Sequence, residues 1–156
     1  ILDFGCGAGA HTWYLAREGF DVYAFDGSES AIEKVRRRLL KEHLKADLKV
    51  ADALALDYQD HFFDAVVDSV CIYSNVFENI KAMYQEVYRM LKPGGKLFSS
   101  CFGKQTYGYG SGGGAGDGYF CAADRRCFGW ARDDAFFYKR SAKTGFRGSR
   151  VSEYSD

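Results

Sequence analysis

An α/β fold with a doubly wound, mostly parallel sheet and helices on both faces is predicted by three observations. Short apolar runs alternate with amphipathic helical stretches through about the first hundred residues, the pattern of repeated β-α-β units. A glycine cluster, Gly5-Cys6-Gly7-Ala8-Gly9, follows the first apolar run directly. An acidic residue, Asp26, closes the second run, at the strand end where sheets of this kind meet ligands. The 156 residues suit one domain, read as a single unit over 1–156. Within it, 1–102 is a ligand-binding core, 103–132 a glycine-rich loop region and 133–156 a C-terminal helix and strand.

Ile1 to Phe4 ends a first strand, and the glycine turn leads into a short helix that Gly19 terminates. Asp21 to Phe25 is a second strand. Ser30 followed by Glu33 has the spacing of a capping box, and Ile32, Val35, Leu39 and Leu40 recur on one helical face up to about His43. The basic residues Lys34, Arg36, Arg37, Arg38 and Lys41 occupy the other face and read as a solvated surface. Leu48 to Ala51 and Asp64 to Val70 are short, branched and apolar, as strands three and four require. Ile80, Met83, Val87 and Leu91 mark a third helix, which Pro93 stops before a fifth strand over Lys96 to Cys101.

Eight of the sixteen residues from Gly103 to Gly118 are glycine, too few side chains to build a core. The segment is either a substrate-responsive lid or an irregular insert. Asp133 and Asp134 at one end and Lys139, Arg140 and Lys143 at the other complement a helix dipole over 133–143, with a last extended run near Val151 to Tyr154.

Twenty-one basic residues balance twenty-one acidic ones, so no overall field holds a polyanion. Only the tail from Lys139 to Arg150 favours one, and nucleic acid is not an expected partner. No apolar run approaches the roughly 20 residues needed to cross a bilayer. Cys6, Cys71, Cys101, Cys121 and Cys127 form no C-x-x-C pair and read as reduced thiols in a cytoplasmic protein. No metal site is predicted.

Gly5, Gly7 and Gly9 let a ligand approach the backbone, and the following helix offers free N–H groups. Asp26 lies 21 residues after Gly5, where a carboxylate accepts from a ribose. Both features also satisfy a dinucleotide fingerprint, so an NAD(P)-dependent oxidoreductase stays open. Asp3 separates the two readings, because a carboxylate inside an apolar strand repels a pyrophosphate and attracts a cationic amino-acid head group.

With these residues in place, the chain resembles the class I S-adenosylmethionine-dependent methyltransferases, in their small-molecule branch. Ile-Leu-Asp-Phe-Gly-Cys-Gly-Ala-Gly at 1–9 is similar to the family's first motif, and Val-Tyr-Ala-Phe-Asp at 22–26 to its ribose-binding strand. Val-Ala-Asp-Ala at 50–53, Phe-Asp-Ala-Val-Val-Asp at 63–68 and Leu-Lys-Pro-Gly-Gly-Lys-Leu at 91–97 continue the likeness in order. The resemblance implies a Rossmann-like fold and methyl transfer from S-adenosylmethionine to a small-molecule acceptor, leaving S-adenosylhomocysteine. It also implies a cofactor site made of Asp3, Gly5, Gly7, Gly9, Asp26, Gly27, Ser28, Asp52, Ala53, Asp68, Ser69 and Val70. For Asp52 and Asp68, turn or helix-capping roles are the alternatives. His11 and Tyr73 are the candidate general bases. A non-catalytic module that binds S-adenosylmethionine remains a further alternative. The chain opens inside a strand, so it is expected to be a piece of something longer. The start of the first strand, a covering helix and the last antiparallel strand are expected to be missing.

Overall fold

Alternation along three short strands sorts the side chains onto two faces of the sheet. The computed structural model describes residues 1–102 in full and, beyond them, the strand backbones at 113–114, 119–121, 127–129, 135–141 and 145–150. Strand β1, Leu2–Phe4, lies between β2, Tyr23–Asp26, and β4, Phe63–Ser69, parallel to both. Strand β3, Asp47–Val50, pairs with β2, and β5, Leu91–Ser100, pairs with β4. The five parallel strands run in the order β3-β2-β1-β4-β5. The chain winds one way from β1 and the other way from β4, so a crevice opens beyond their carboxyl ends.

Leu2, Phe4 and Phe25 face a core completed by Val66, Leu97 and the buried stripe of α3, Phe77–Met90. Val22 and Ala24 face the opposite side, under α1, Ala10–Arg17, and α2, Glu29–Lys41. Full burial of one such side chain is worth about 1.5–3 kcal/mol, and Val35, Val66, Val87 and Leu97 are all completely buried. Parity therefore sends Asp3 toward the α1 and α2 side. Asp68, in register with Phe4 and Ser99, goes to the α3 side.

Helix α1 starts at Gly9, whose left-handed φ of 76° replaces a side-chain cap, and Gly19, at φ 85°, follows its last turn. The cap of α2 is Ser28, not Ser30: Ser28 is extended and its hydroxyl accepts from the Ala31 N–H at 3.3 Å. The Asp26 carboxylate accepts from the Ser28 N–H and turns the chain directly after β2, so the helix begins earlier than the spacing predicts. The basic face of α2 is partly committed internally, Arg36 and Arg37 to Glu33 and Arg38 over the Trp13 ring. Strand β5 also begins early. Leu91 pairs with Phe63 before Pro93 and the two glycines, the register shifts, and pairing resumes at Lys96 opposite Ala65.

The C-terminal expectations need correction. Instead of a helix over 133–143, Ala135–Ser141 forms β9, antiparallel to β5, and Gly145–Arg150 forms β10, antiparallel to β9. The edge expected to lack its antiparallel strand is thus filled. Ala135-Phe136-Phe137-Tyr138 has strand propensity, and the edge of β5 has unpaired backbone groups to satisfy; charges favourable to a helix dipole are weaker than that ladder. Strands β6, Gly113–Gly114, β7, Tyr119–Cys121, and β8, Cys127–Gly129, form a separate antiparallel sheet, with β8 beside the chain that follows β4. The lid reading of 103–118 falls outside the described residues except at β6. The run expected near Val151 to Tyr154 lies wholly outside them.

A Cβ built at Gly9 meets the Val35 methyls at 2.7 and 2.8 Å, whereas one at Gly7 meets nothing within 4 Å although its φ is 52°. Gly9→Ala is therefore expected to cost about 2–4 kcal/mol in urea unfolding. Gly7→Ala should cost about 1 kcal/mol, from its backbone conformation alone.

Candidate functional site

The turn after β1 has no room for side chains where it touches the rest of the fold. Gly5, at φ 70°, sits against Cys71, whose Cβ lies 2.7 Å from where a Gly5 Cβ would be. Gly9 sits against α2 as above. Gly7 alone faces open space, as a backbone approached by a ligand must.

Asp26 ties this turn to the next. One carboxylate oxygen accepts from the Gly7 N–H at 2.9 Å and the other from the Ser28 N–H at 2.8 Å. Ser28 therefore serves α2 as its cap and Asp26 as a donor. Each carboxylate oxygen keeps a further lone pair for a hydroxyl donor.

Beside Asp26 lies a cleft of about 580 Å³, inside the range of about 300–1,000 Å³ for small-molecule sites. Gly5 bounds it after β1, Phe25, Asp26 and Gly27 at the end of β2, and Val50, Ala51, Asp52 and Ala53 at the end of β3. Its other wall is Cys71 and Asn75 after β4, with Met83 from α3. Of the sequence-derived set, the cleft brings together Gly5, Asp26, Gly27, Asp52 and Ala53. Asp52 also accepts from the Leu54 N–H at 2.9 Å, so it holds its own turn while lining the cleft.

Phe25, Val50, Ala51, Cys71, Asn75 and Met83 are cleft residues that sequence reasoning passed over. The strand-end rule would have found Phe25, Val50 and Ala51. Met83 looks like core because it belongs to the α3 stripe. Asn75 declares itself only in three dimensions, where its amide donates to the Cys71 and Ile72 carbonyls at 3.1 and 3.3 Å.

Asp3 and Asp68 are buried and do not line the cleft. Asp3 is 2% exposed and its carboxylate accepts from the Thr12 hydroxyl at 2.6 Å. Burial pushes its pKa up, and the Thr12 bond only partly offsets this. Asp68 is fully buried. One of its oxygens accepts from the Cys71 and Ile72 N–H groups at 3.0 and 3.1 Å, and the other from the Ser99 hydroxyl at 2.6 Å. Tyr84 reaches Ser99 in turn, 3.0 Å between oxygens. Asp68 thus caps the 3₁₀ turn Ile72–Ser74 that carries the cleft wall, and burial raises its pKa despite these donors.

Val70, between Asp68 and that turn, has φ 67°, a strained conformation for a β-branched residue. Its N–H donates to the Ser100 carbonyl at 3.0 Å and its carbonyl accepts from the Ser74 hydroxyl at 2.9 Å, so the strain is held from both sides. Ser69 ends β4 at this bend, with its hydroxyl 3.4 Å from that of Ser100.

Neither candidate base lines the cleft. His11 is exposed on the first turn of α1. Tyr73 is 7% exposed, and burial raises its pKa, which keeps the phenol protonated at neutral pH and unable to take a proton. Cys6, Cys71 and Cys101 are free thiols, while the side chains of Cys121 and Cys127 lie outside the described residues. Burial, followed by the nearby carboxylates, pushes Cys6 and Cys71 up to about 12. Among the described residues no group of three or more His, Cys, Asp or Glu is placed to hold a metal ion, and no helix is long and apolar enough to cross a membrane.

Comparison with known proteins identifies the family. A family model described as a methyltransferase domain matches residues 1–95. The chain belongs to that family, and its class is that of the class I S-adenosylmethionine-dependent methyltransferases of small-molecule type. A demethylmenaquinone methyltransferase of Clavibacter sepedonicus is 40% identical over 97 residues, 62% of this chain and 38% of that protein. Phosphoethanolamine N-methyltransferase 2 of Caenorhabditis elegans is 31% identical over 112 residues, 70% of this chain and 24% of its own. The chain thus spans well under half the length of these curated relatives. The crystal structure of an S-adenosylmethionine-dependent methyltransferase from Methanosarcina mazei superposes with a TM-score of 0.75 at 26% identity, covering 85% of this chain and 72% of that one.

The buried Asp3 carboxyl makes stability depend on pH. Folding raises its pKa above the ordinary value of 3.8, so the folded state binds the proton more tightly than the unfolded chain does. The resulting penalty is complete above the folded value and absent below the ordinary one. Asp3→Asn, which keeps an acceptor for Thr12, is expected to stabilise the fold at pH 7. That gain should shrink as pH falls toward 3.8, measured by urea unfolding across a pH series.

Proposed function

We propose that this domain binds S-adenosylmethionine in the cleft and catalyses transfer of its methyl group to a small-molecule acceptor, leaving S-adenosylhomocysteine. The observation that carries the proposal is the meeting, at the switch point of the sheet, of an open glycine turn, the Asp26 carboxylate and the Asp52–Ala53 turn around one cleft of suitable size. When bound, S-adenosylmethionine supplies a methyl already activated on a sulfonium centre, ready for in-line displacement.

Asp26 accepts from the ribose hydroxyls, using lone pairs that its bonds to Gly7 and Ser28 leave available. Asp52 accepts from the adenine amino group, and the Ala53 N–H donates to the ring. Gly7 gives the amino-acid moiety a bare backbone to lie against. Asp68 acts through the wall, since its bonds to Cys71 and Ile72 hold the turn in place. Asp3 acts at a distance, adding negative field that suits a cation and opposes a pyrophosphate. That field is the physical ground for preferring a sulfonium ligand to a nicotinamide dinucleotide.

Residues 1–102 make up the cofactor-binding unit in this reading, and the later segments border the acceptor. The acceptor is small, the balanced charge does not suit nucleic acid, and a cytoplasmic setting fits the free thiols. Neither His11 nor Tyr73 is assigned as base.

Calorimetric titration of S-adenosylhomocysteine and of NADH into the wild type and Asp26→Ala tests the proposal. The expected result is binding of S-adenosylhomocysteine alone, weakened about tenfold or more by the substitution, a loss of about 1.4 kcal/mol. Equal binding by both proteins would remove the ribose assignment, and preferential binding of NADH would remove the donor.

A further inference from the structure

We infer that two copies of this chain associate through the outer edge of β3, joining their sheets across a two-fold axis at Leu48. Among the described strands β3 is the last on its side of the sheet, and a free edge carries unpaired backbone groups that template pairing with another strand. The Asp47 N–H donates to the Val22 carbonyl at 2.8 Å and the Ala51 N–H to the Asp26 carbonyl at 3.1 Å. Backbone groups of alternate residues in a strand point to the same side. Asp47, Lys49 and Ala51 therefore turn theirs toward β2, and Leu48 and Val50 turn theirs outward.

An antiparallel partner must bring its own outward groups to meet these. Leu48 opposite Leu48 does so, because each exchanges N–H and C=O bonds with its counterpart, and Val50 then meets the partner's Ala46. This register sets Asp47 directly opposite the partner's Lys49, twice by symmetry. Those are non-hydrogen-bonded pairs, where side chains approach most closely and opposite charges attract. Registers centred on Asp47 or on Lys49 satisfy the backbone too, but each opposes like charges at the axis. Lys49 also bonds Asp57 within its own chain, and its ammonium has further donors for Asp47.

The other face of the same edge is apolar. Leu40, Leu44, Ala46 and Leu48 line a groove of about 330 Å³, together with Arg36 and Lys45, and Leu40 is 66% exposed. Glu33 already neutralises Arg36, and the register sets Lys45 opposite the partner's Ala51, next to Asp52. Helix α2 packs over both β2 and β3. In the joined sheet the two α2 helices lie two strand spacings apart, roughly 10 Å, close to the distance of about 8–10 Å at which helices pack. Each α2 thus closes the groove of the other and buries Leu40. Because Val50 and Ala51 also line the ligand cleft, the interface runs to the rim of that site.

Sedimentation equilibrium of the full chain from about 2 to 200 μM tests the inference, with a monomer–dimer equilibrium and a Kd on the order of 10 μM expected. Leu40→Asp should weaken association about tenfold or more. Asp47→Lys, which sets like charges opposite, should weaken it about three- to tenfold. Adding Lys49→Asp to Asp47→Lys exchanges the signs and should return association to within about threefold of the wild type. Leu40 and Asp47 are exposed, so the single variants should keep the fold, checked by circular dichroism. If the exchanged variant does not fold, the two single variants decide. Monomers throughout, the result expected if the groove takes a different protein or nothing, overturn the inference. A dimer indifferent to Leu40→Asp and Asp47→Lys overturns it as well, as does a folded exchange variant that associates no better than Asp47→Lys alone.

Discussion

The bridge made by Asp26 is the interaction on which the site depends. Its two carboxylate oxygens accept from Gly7 after β1 and from Ser28 after β2, adding a side-chain tie to the backbone bond from Cys6 to Phe25 that already joins the two strand ends. A carboxylate accepting two backbone N–H groups is a strong, directional tie. The cleft has a defined edge because that tie spans its rim. The same residue both builds the rim and presents charge to whatever lies within it, so binding and local architecture cannot be separated by substituting it alone.

Parity distributes the other acidic residues with equal economy. Asp3 and Asp68 stand on neighbouring strands, yet one goes beneath α1 and the other beneath α3, because Asp3 alternates with Leu2 and Phe4 while Asp68 shares a register with Phe4. Each finds a hydroxyl, Thr12 for Asp3 and Ser99 for Asp68. Burying each carboxylate opposes folding, and hydrogen bonding offsets only part of that. The fold thus carries negative charge on both sides of its central strands at a cost in stability, a pattern frequent where a site must act on a charged ligand.

The parallel core was legible because its signals are local and repeated. Apolar runs, the glycine turn, Gly19 and Pro93 each specify backbone behaviour without knowledge of the partner. Asp26 was legible as a strand-end acid, and Asp52 and Ala53 as the turn after the third strand. What stayed hidden depends on three-dimensional pairing. Ala135–Ser141 carries charges that suit a helix dipole, but the open edge of β5 recruits it as a strand. Asp68 reads equally well as a ligand or a cap until the N–H groups of Cys71 and Ile72 are seen to point at it. Met83 shares a helical stripe with true core residues, and only the position of α3 over the strand ends turns it toward the cleft. Ser30 loses the cap to Ser28, whose N–H is held by Asp26 while its hydroxyl accepts from Ala31.

Cys71 stands in the cleft wall, where, on the methyl-donor reading proposed above, its sulfur would share the cleft with an electrophilic carbon. A thiolate there would compete with the intended acceptor, and each such event would alkylate the enzyme and spend a donor molecule without product. Burial and the field of Asp68, Asp26 and Asp3 push the thiol up to about 12, and those carboxylates oppose the pull that a sulfonium exerts toward ionisation. On that reading, the acidity that would draw a cation in would also keep this thiol from being alkylated by the protein's own reagent.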